Sequence, residues 1–202
     1  MIYIYGDSHA KFCFKNLKLS HKDYHQSAIT MFRIGRDNNI INFNNIEHDA
    51  NSIICLVYGE VDCRCHIQQQ INLGKNEDEI IFNLVDNYFK TIKNSIINCK
   101  KIIVVGVIPP TKQSNYENLH GPILHEFPFV GNDEERVRYT MKVNKQIEEN
   151  CINNNYIYFN PFFYYMREDG TLKYELSDNC VHLGNNSFFL EQFTELYRCA
   201  LF

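Results

Sequence analysis

The sequence predicts an α/β protein, a three-layer α/β/α sandwich around a mainly parallel central sheet. Two observations lead there. Short apolar runs such as "SIICLVYG" (52–59) and "KIIVVGVI" (101–108) have strand length and are continuous rather than alternating, as strands covered on both faces are. Longer segments with apolar residues three and four apart lie between them, and a strand–helix–strand–helix order is that of a layered parallel sheet. With 202 residues and no repeat or low-complexity linker, one domain over 1–202 is expected.

The elements follow in chain order. "IYIY" (2–5) is a short first strand, and "AITMFRI" (28–34) reads as a second. "SIICLVYG" is the third. The segment 76–99 is a long helix, because Ile80, Ile81, Leu84, Val85, Tyr88, Phe89, Ile92, Ile96 and Ile97 recur on one side. Asn76 suits its N-cap, and the acids behind it suit the positive end of the helix dipole. "KIIVVGVI" is the fourth strand, stopped by Pro109 and Pro110. A loop of over twenty residues then reaches Asn132, where "NDEE" offers a capping box for a helix to about Asn150. "YIYFN" (156–160) is a fifth strand, and a last helix covers about 185–201, with Phe188, Phe189, Phe193, Leu196 and Tyr197 on one side.

Composition narrows the function classes. Hydrophobic residues make up 45%, charged residues 22%, and the net charge is -4, so no basic field exists for nucleic acid. No run approaches the roughly 20 apolar residues of a spanning helix. The N-terminus lacks a basic segment and a long apolar stretch, so no secretory signal is read and a cytoplasmic protein is expected. Eight scattered cysteines then read as reduced thiols. Cys63-x-Cys65-His66 lacks zinc spacing and a second cysteine pair, so no metal is expected.

In a parallel sheet, ligands bind beyond the carboxyl ends of the strands. After the first strand come Gly6-Asp7-Ser8-His9, and after the third Gly59-Glu60-Val61-Asp62-Cys63-Arg64-Cys65-His66. Ahead of the last helix comes "SDNCVHLG", with Asp178 and His182. A serine nucleophile needs a base within hydrogen-bond reach, and the base needs an acid to orient it. Asp178 and His182 meet the second need locally. Ser8 meets the first only where the fold joins the two chain ends.

"IYGDSH", "VYGEVD" and "DNCVHLG", in this order over nearly the whole chain, resemble the blocks of the SGNH (GDSL-like) hydrolase superfamily. The resemblance implies a flavodoxin-like SGNH fold, with Ser8 as nucleophile and His182 as base. It also implies an oxyanion hole from the Ser8 N–H, a second-block glycine and a third-block asparagine. Gly35 in "FRIGRDN" is the glycine candidate, and Asp7 holds the nucleophile turn. Two positions depart from the pattern. Val61 stands where the asparagine belongs, which leaves Arg64 or His66 as substitute donors. Asp178 precedes His182 by four residues instead of three, with Asn179 as the other candidate to orient the ring.

Plainer roles stand beside these. Gly-Asp-Ser-His alone is a helix-capping turn, and Arg64 serves equally as ion-pair partner of Glu60 or Asp62. His9 lines the pocket or caps a helix. His120 and His125 belong to the long loop, solvated or reaching over the site. "FNPFFYYM" (159–166) reads as core, with Tyr164 or Tyr165 as a sugar platform the lesser reading. The resemblance implies a serine esterase or O-acyltransferase that needs no cofactor. Its substrate is a small acyl group on a carbohydrate or glycan, with an acyl donor if transfer is the outcome. A non-hydrolytic glycan-binding protein on the same fold is the alternative.

Overall fold

The first strand has to turn sharply to place Ser8 at the head of a helix, and Gly6 makes the turn possible. A Cβ on Gly6 would stand 2.3 Å from the Ala10 Cβ and 2.7 Å from the Val57 carbonyl oxygen. The structure, a computed structural model, describes residues 1–37, 41, 43, 48–96, 98–124 and 126–200. His125 and Ile97 lie outside the described residues.

Five strands, β1 (Ile2–Gly6), β2 (His21–His25), β3 (Ile53–Val57), β4 (Lys101–Val105) and β5 (Ile157–Phe159), form one all-parallel sheet in the order β2-β1-β3-β4-β5. The helices are α1 (Ser8–Cys13), α2 (Met31–Asp37), α3 (Ile67–Asn72), α4 (Glu77–Ser95), α5 (Gln113–His120), α6 (Asp133–Asn154), α7 (Phe162–Tyr165) and α8 (Ser187–Ala200). A π-helical turn (Asp62–His66) leads into α3.

Alternation along the strands builds both outer layers. Tyr3, Tyr5, Ile54, Leu56, Ile102 and Val104 point to the face covered by α2, α4 and α6. Ile2, Ile4, Ile53, Cys55, Ile103 and Val105 point to the opposite face, where Phe189 and Phe193 of α8 close the core. This is the three-layer α/β/α sandwich. The cores also hold α4 and α6, whose N-termini carry the expected caps. Asn76 accepts the Glu79 N–H at 3.1 Å, and Asn132 and Glu135 form a reciprocal capping box. Strand order reverses between β1 and β3, so the crevice at their carboxyl ends is where such a sheet binds ligands.

Two expectations are corrected. The stretch 28–34 is not a strand: Met31–Asp37 is helical, with Met31 and Ile34 buried on one side. Thr30 Oγ1 accepts the Arg33 N–H at 3.1 Å, and Asp62 accepts the Met31 N–H at 2.8 Å, so the first turn of α2 is capped twice. The second strand is instead "HKDYH" (21–25), an edge strand paired only with β1 and largely solvated. The long loop after Pro110 contains α5, which buries none of its side chains and therefore shows no apolar periodicity. Among the described residues, no helix is long and apolar enough to cross a membrane.

Candidate active site

Ser8 is the first residue of α1, so its backbone N–H has no intrahelical acceptor. Asp7 fixes that end: its Oδ1 accepts the His9 N–H at 2.8 Å. The other Asp7 oxygen is buried without a partner among the described residues, and burial pushes this carboxyl up to about 6.

The turn ahead of α8 brings the second half. Asp178 Oδ1 accepts the backbone N–H groups of Cys180 (2.9 Å) and His182 (3.1 Å), while Oδ2 accepts His182 Nδ1–H at 2.9 Å. That leaves Nε2 as an acceptor, and Ser8 Oγ lies 2.9 Å from it. Ser8, His182 and Asp178 are thus one hydrogen-bonded chain. Asn179 is left outside it; its φ of 64° gives the turn the extra residue, and its carbonyl accepts His120 Nε2–H at 2.6 Å. Thr111, after β4, donates to the Cys180 carbonyl at 3.2 Å. Two segments therefore fasten the turn from outside.

Burial pushes His182 below the ordinary imidazole value, and nearby His9 adds to this against the Asp178 hydrogen bond. For Asp178, burial acts upward but the bonds from His182 outweigh it and hold the carboxyl down. Phe12 lies flat on the His182 ring, 4.1 Å between centroids and 6° between planes. Sequence reading passed over Phe12, although its place one turn after Ser8 puts it on the same face of α1.

A second, deeper group sits beside the first. His9 Nε2 donates to Glu60 Oε2 at 3.0 Å, and Arg64 grips Glu60 through Nε (2.8 Å) and Nη2 (3.2 Å). Arg64 Nη1 donates to the Phe127 carbonyl, and the Arg64 carbonyl accepts the Val130 N–H at 3.1 Å. The buried Arg64 is thus the ion-pair partner of Glu60, one of the roles its sequence position left open, with three of its five N–H donors engaged. His66 is engaged as well, with Nδ1 3.3 Å from Asp62 Oδ1. Asp62 itself is fully buried and caps α2. Val61 is buried and apolar.

Gly35 does not reach this site. It lies within α2 against α4, where a Cβ would meet Asn87 Cβ at 2.9 Å, so the glycine serves helix packing. A left-handed residue directly after β2 was missed instead: Ala28, exposed, with φ 64°. Its loop leaves β2 next to the Gly6–Ser8 turn, since Gln26 N–H donates to the Gly6 carbonyl at 2.8 Å. In the sequence nothing marks it beyond its small size, since the positive φ is a property of the fold. Tyr165 is core, its oxygen accepting the Phe189 N–H at 3.0 Å, and Tyr164 stacks on Phe188. Cys63 and Cys65 are buried thiols. Among the described residues, the one trio of ligand-type side chains within 4.8 Å is Asp178, Cys180 and His182, two of which already bond each other.

No family model matches the sequence, and no curated protein matches it. Solved structures do. A GDSL-like lipase from Bacteroides thetaiotaomicron is 15% identical, with a TM-score of 0.55 over 99% of this chain and 86% of that one. The acetylxylan esterase Axe2 from Geobacillus stearothermophilus is 9% identical, with a TM-score of 0.59 over 99% and 93%. An aryl esterase of M. smegmatis is 12% identical, with a TM-score of 0.55 over 98% of each chain. At these identities the likeness is one of backbone architecture. The chain has the fold of the GDSL-like (SGNH) hydrolases.

Proposed function

We propose that the protein is a serine esterase or O-acyltransferase that handles a small acyl group on a carbohydrate or glycan. One observation carries the reading: the unbroken chain from Asp178 through His182 to Ser8, with 2.9 Å at each link. Asp178 holds Nδ1–H, so Nε2 is free to take the Ser8 proton as Oγ attacks the acyl carbonyl. The imidazolium formed is stabilised by the Asp178 carboxylate, and it returns the proton to the departing alkoxide. An acyl-serine remains. Water resolves it to acid in hydrolysis, and a sugar hydroxyl resolves it in transfer.

The tetrahedral oxyanion needs donors. The Ser8 N–H and the N–H of Ala28 are the candidates at this sheet edge, while Val61 offers none. Losing one donor of this kind costs about 2.7–4 kcal/mol of transition-state stabilisation, so slow turnover is expected. That same vacancy supports a second reading, a glycan-binding protein on an SGNH fold that no longer turns over. Fluorophosphonate labelling and p-nitrophenyl acetate turnover separate the two. Labelling lost in Ser8→Ala and His182→Ala supports the enzyme, whereas an unlabelled wild-type protein without turnover overturns it.

A further inference from the structure

A cleft of about 950 Å³ lies between α2, α3 and the N-terminal half of α4, and none of the three triad residues lines it. Thr30, Asp62 and Phe127, from the segments after β2, β3 and β4, line it, so it reaches the carboxyl edge of the sheet that Ser8 also follows. Its walls are of two kinds. Glu79, Asn83 and Asn87 stand one turn apart along α4, spaced about 6 Å, as a polar ladder. The side chains of all three are exposed and have no hydrogen-bond partner among the described residues. The lining also holds two aromatic side chains, Phe32, which is 47% exposed with the Arg36 guanidinium over its ring at 5.3 Å, and Phe127.

The two arginines of the cleft share one carboxylate. Arg36 is held by both oxygens of Asp37 (2.5 and 2.8 Å), and Arg33 leans on the same carboxylate at 3.6 Å. Lys75 donates to Gln70 Oε1 at 2.5 Å. Among the described residues the Lys75 ammonium and the Glu79 carboxylate have no ionic partner, and with Arg33 and Arg36 set against Asp37 and Asp62 the cleft carries no net charge, while Glu79 accepts hydroxyl groups. A row of free amides and one carboxylate beside flat apolar rings fits a neutral molecule rich in hydroxyls that also carries C–H faces. A fatty chain would cover the amides and leave them unpaired.

We propose that this cleft is a subsite for an uncharged oligosaccharide, which lies along Asn83 and Asn87 with sugar faces against Phe32 and Phe127. The proposal deepens the glycan reading above and rests on it for the identity of the ester-bearing molecule. The test uses full-length Ser8→Ala protein, so that no ester is turned over. It is titrated calorimetrically with xylotetraose, cellotetraose and N-acetylchitotetraose, and with dodecanoate and tetragalacturonate as apolar and anionic probes. Binding of at least one neutral sugar, weakened tenfold or more by Asn83→Leu and by Phe32→Ala, is expected. Both substitutions sit at exposed positions, and an unchanged urea midpoint shows that each variant is folded. No neutral sugar binding at millimolar concentration, equal binding in the variants, or preference for dodecanoate or tetragalacturonate overturns the subsite. Failure of the esterase reading is seen separately, as absent serine labelling.

Discussion

Two histidine–carboxylate pairs stand side by side next to Ser8, with ring centroids 4.6 Å apart, and they are chemically alike but placed for different work. His182 and Asp178 are 2.9 Å apart, with 14% and 18% of their side chains exposed. His9 and Glu60 are 3.0 Å apart, with 4% and 5% exposed. The first pair has one open end, the Nε2 that meets Ser8. The second is closed, because Arg64 occupies the far side of Glu60. Burial alone would depress both imidazoles. At His182 it prevails, whereas at His9 the Glu60 carboxylate outweighs it and raises the affinity for a proton. Burial would likewise neutralise Glu60, but Arg64 and His9 hold it well below the carboxylate range. The neighbours of the acid, more than the pair itself, decide whether the histidine's affinity for a proton falls or rises.

The sharpest way to break the comparison is to disable each pair in turn. Asp178→Asn is expected to lower kcat for p-nitrophenyl acetate by about 10⁴-fold, because the imidazole loses the acceptor that sets its tautomer. Glu60→Gln leaves the buried Arg64 uncompensated, so its effect falls on folding. A loss of about 3–5 kcal/mol in urea unfolding is expected. Equal activity losses without the stability loss would show the pairs to be equivalent.

The two pairs also differ in what they impose on pH. A base must be neutral, so kcat/KM falls as pH drops through the His182 pKa, which lies below the ordinary imidazole value. His9 is one cause of that depression; Asp178 and Glu60 act in the opposite direction. His9→Gln removes the positive neighbour, so the acid limb of the profile is expected to move to higher pH. A limb that stays in place removes His9 from the electrostatics of the base. Glu60 gives the matching stability signature. Its folded pKa is lowered, so its contribution is full above the unfolded value near 4.3 and is lost as pH falls toward the folded one.

The smallest effect expected is at Ala28, outside both pairs. Left-handed backbone costs a non-glycine residue roughly 1 kcal/mol, so Ala28→Gly is expected to raise stability by about 0.5–1 kcal/mol, read from the urea midpoint. It keeps the backbone N–H, so turnover should persist.

The parts of the molecule that bury apolar surface were the parts legible beforehand. The strands at β1, β3, β4 and β5 are continuous apolar runs, and α4 and α6 begin at side chains that cap. The edge strand β2 and the solvated α5 bury too little to leave a pattern. The stretch 28–34 misled because Ile29, Met31 and Ile34 fit a strand's composition, while the Asp62 carboxylate that caps α2 comes from thirty residues away. Ser8, Asp178 and His182 could be picked out because each follows a strand or precedes a helix at one edge. Gly35 and Arg64 were harder. What a glycine packs against and which face of a guanidinium is already engaged depend on α4 and on Phe127, neither of which is near in sequence.

Ser8 and His182 meet across 174 positions, and Asn186 fastens the same two ends by donating to the carbonyls of Phe12, Cys13 and Lys15. All five strands precede Asn160, but Phe189 and Phe193 of α8 cover one face of their sheet, so the segment that brings His182 to Ser8 also completes the core. Labelling of Ser8 would then report that this segment has docked and the core is closed.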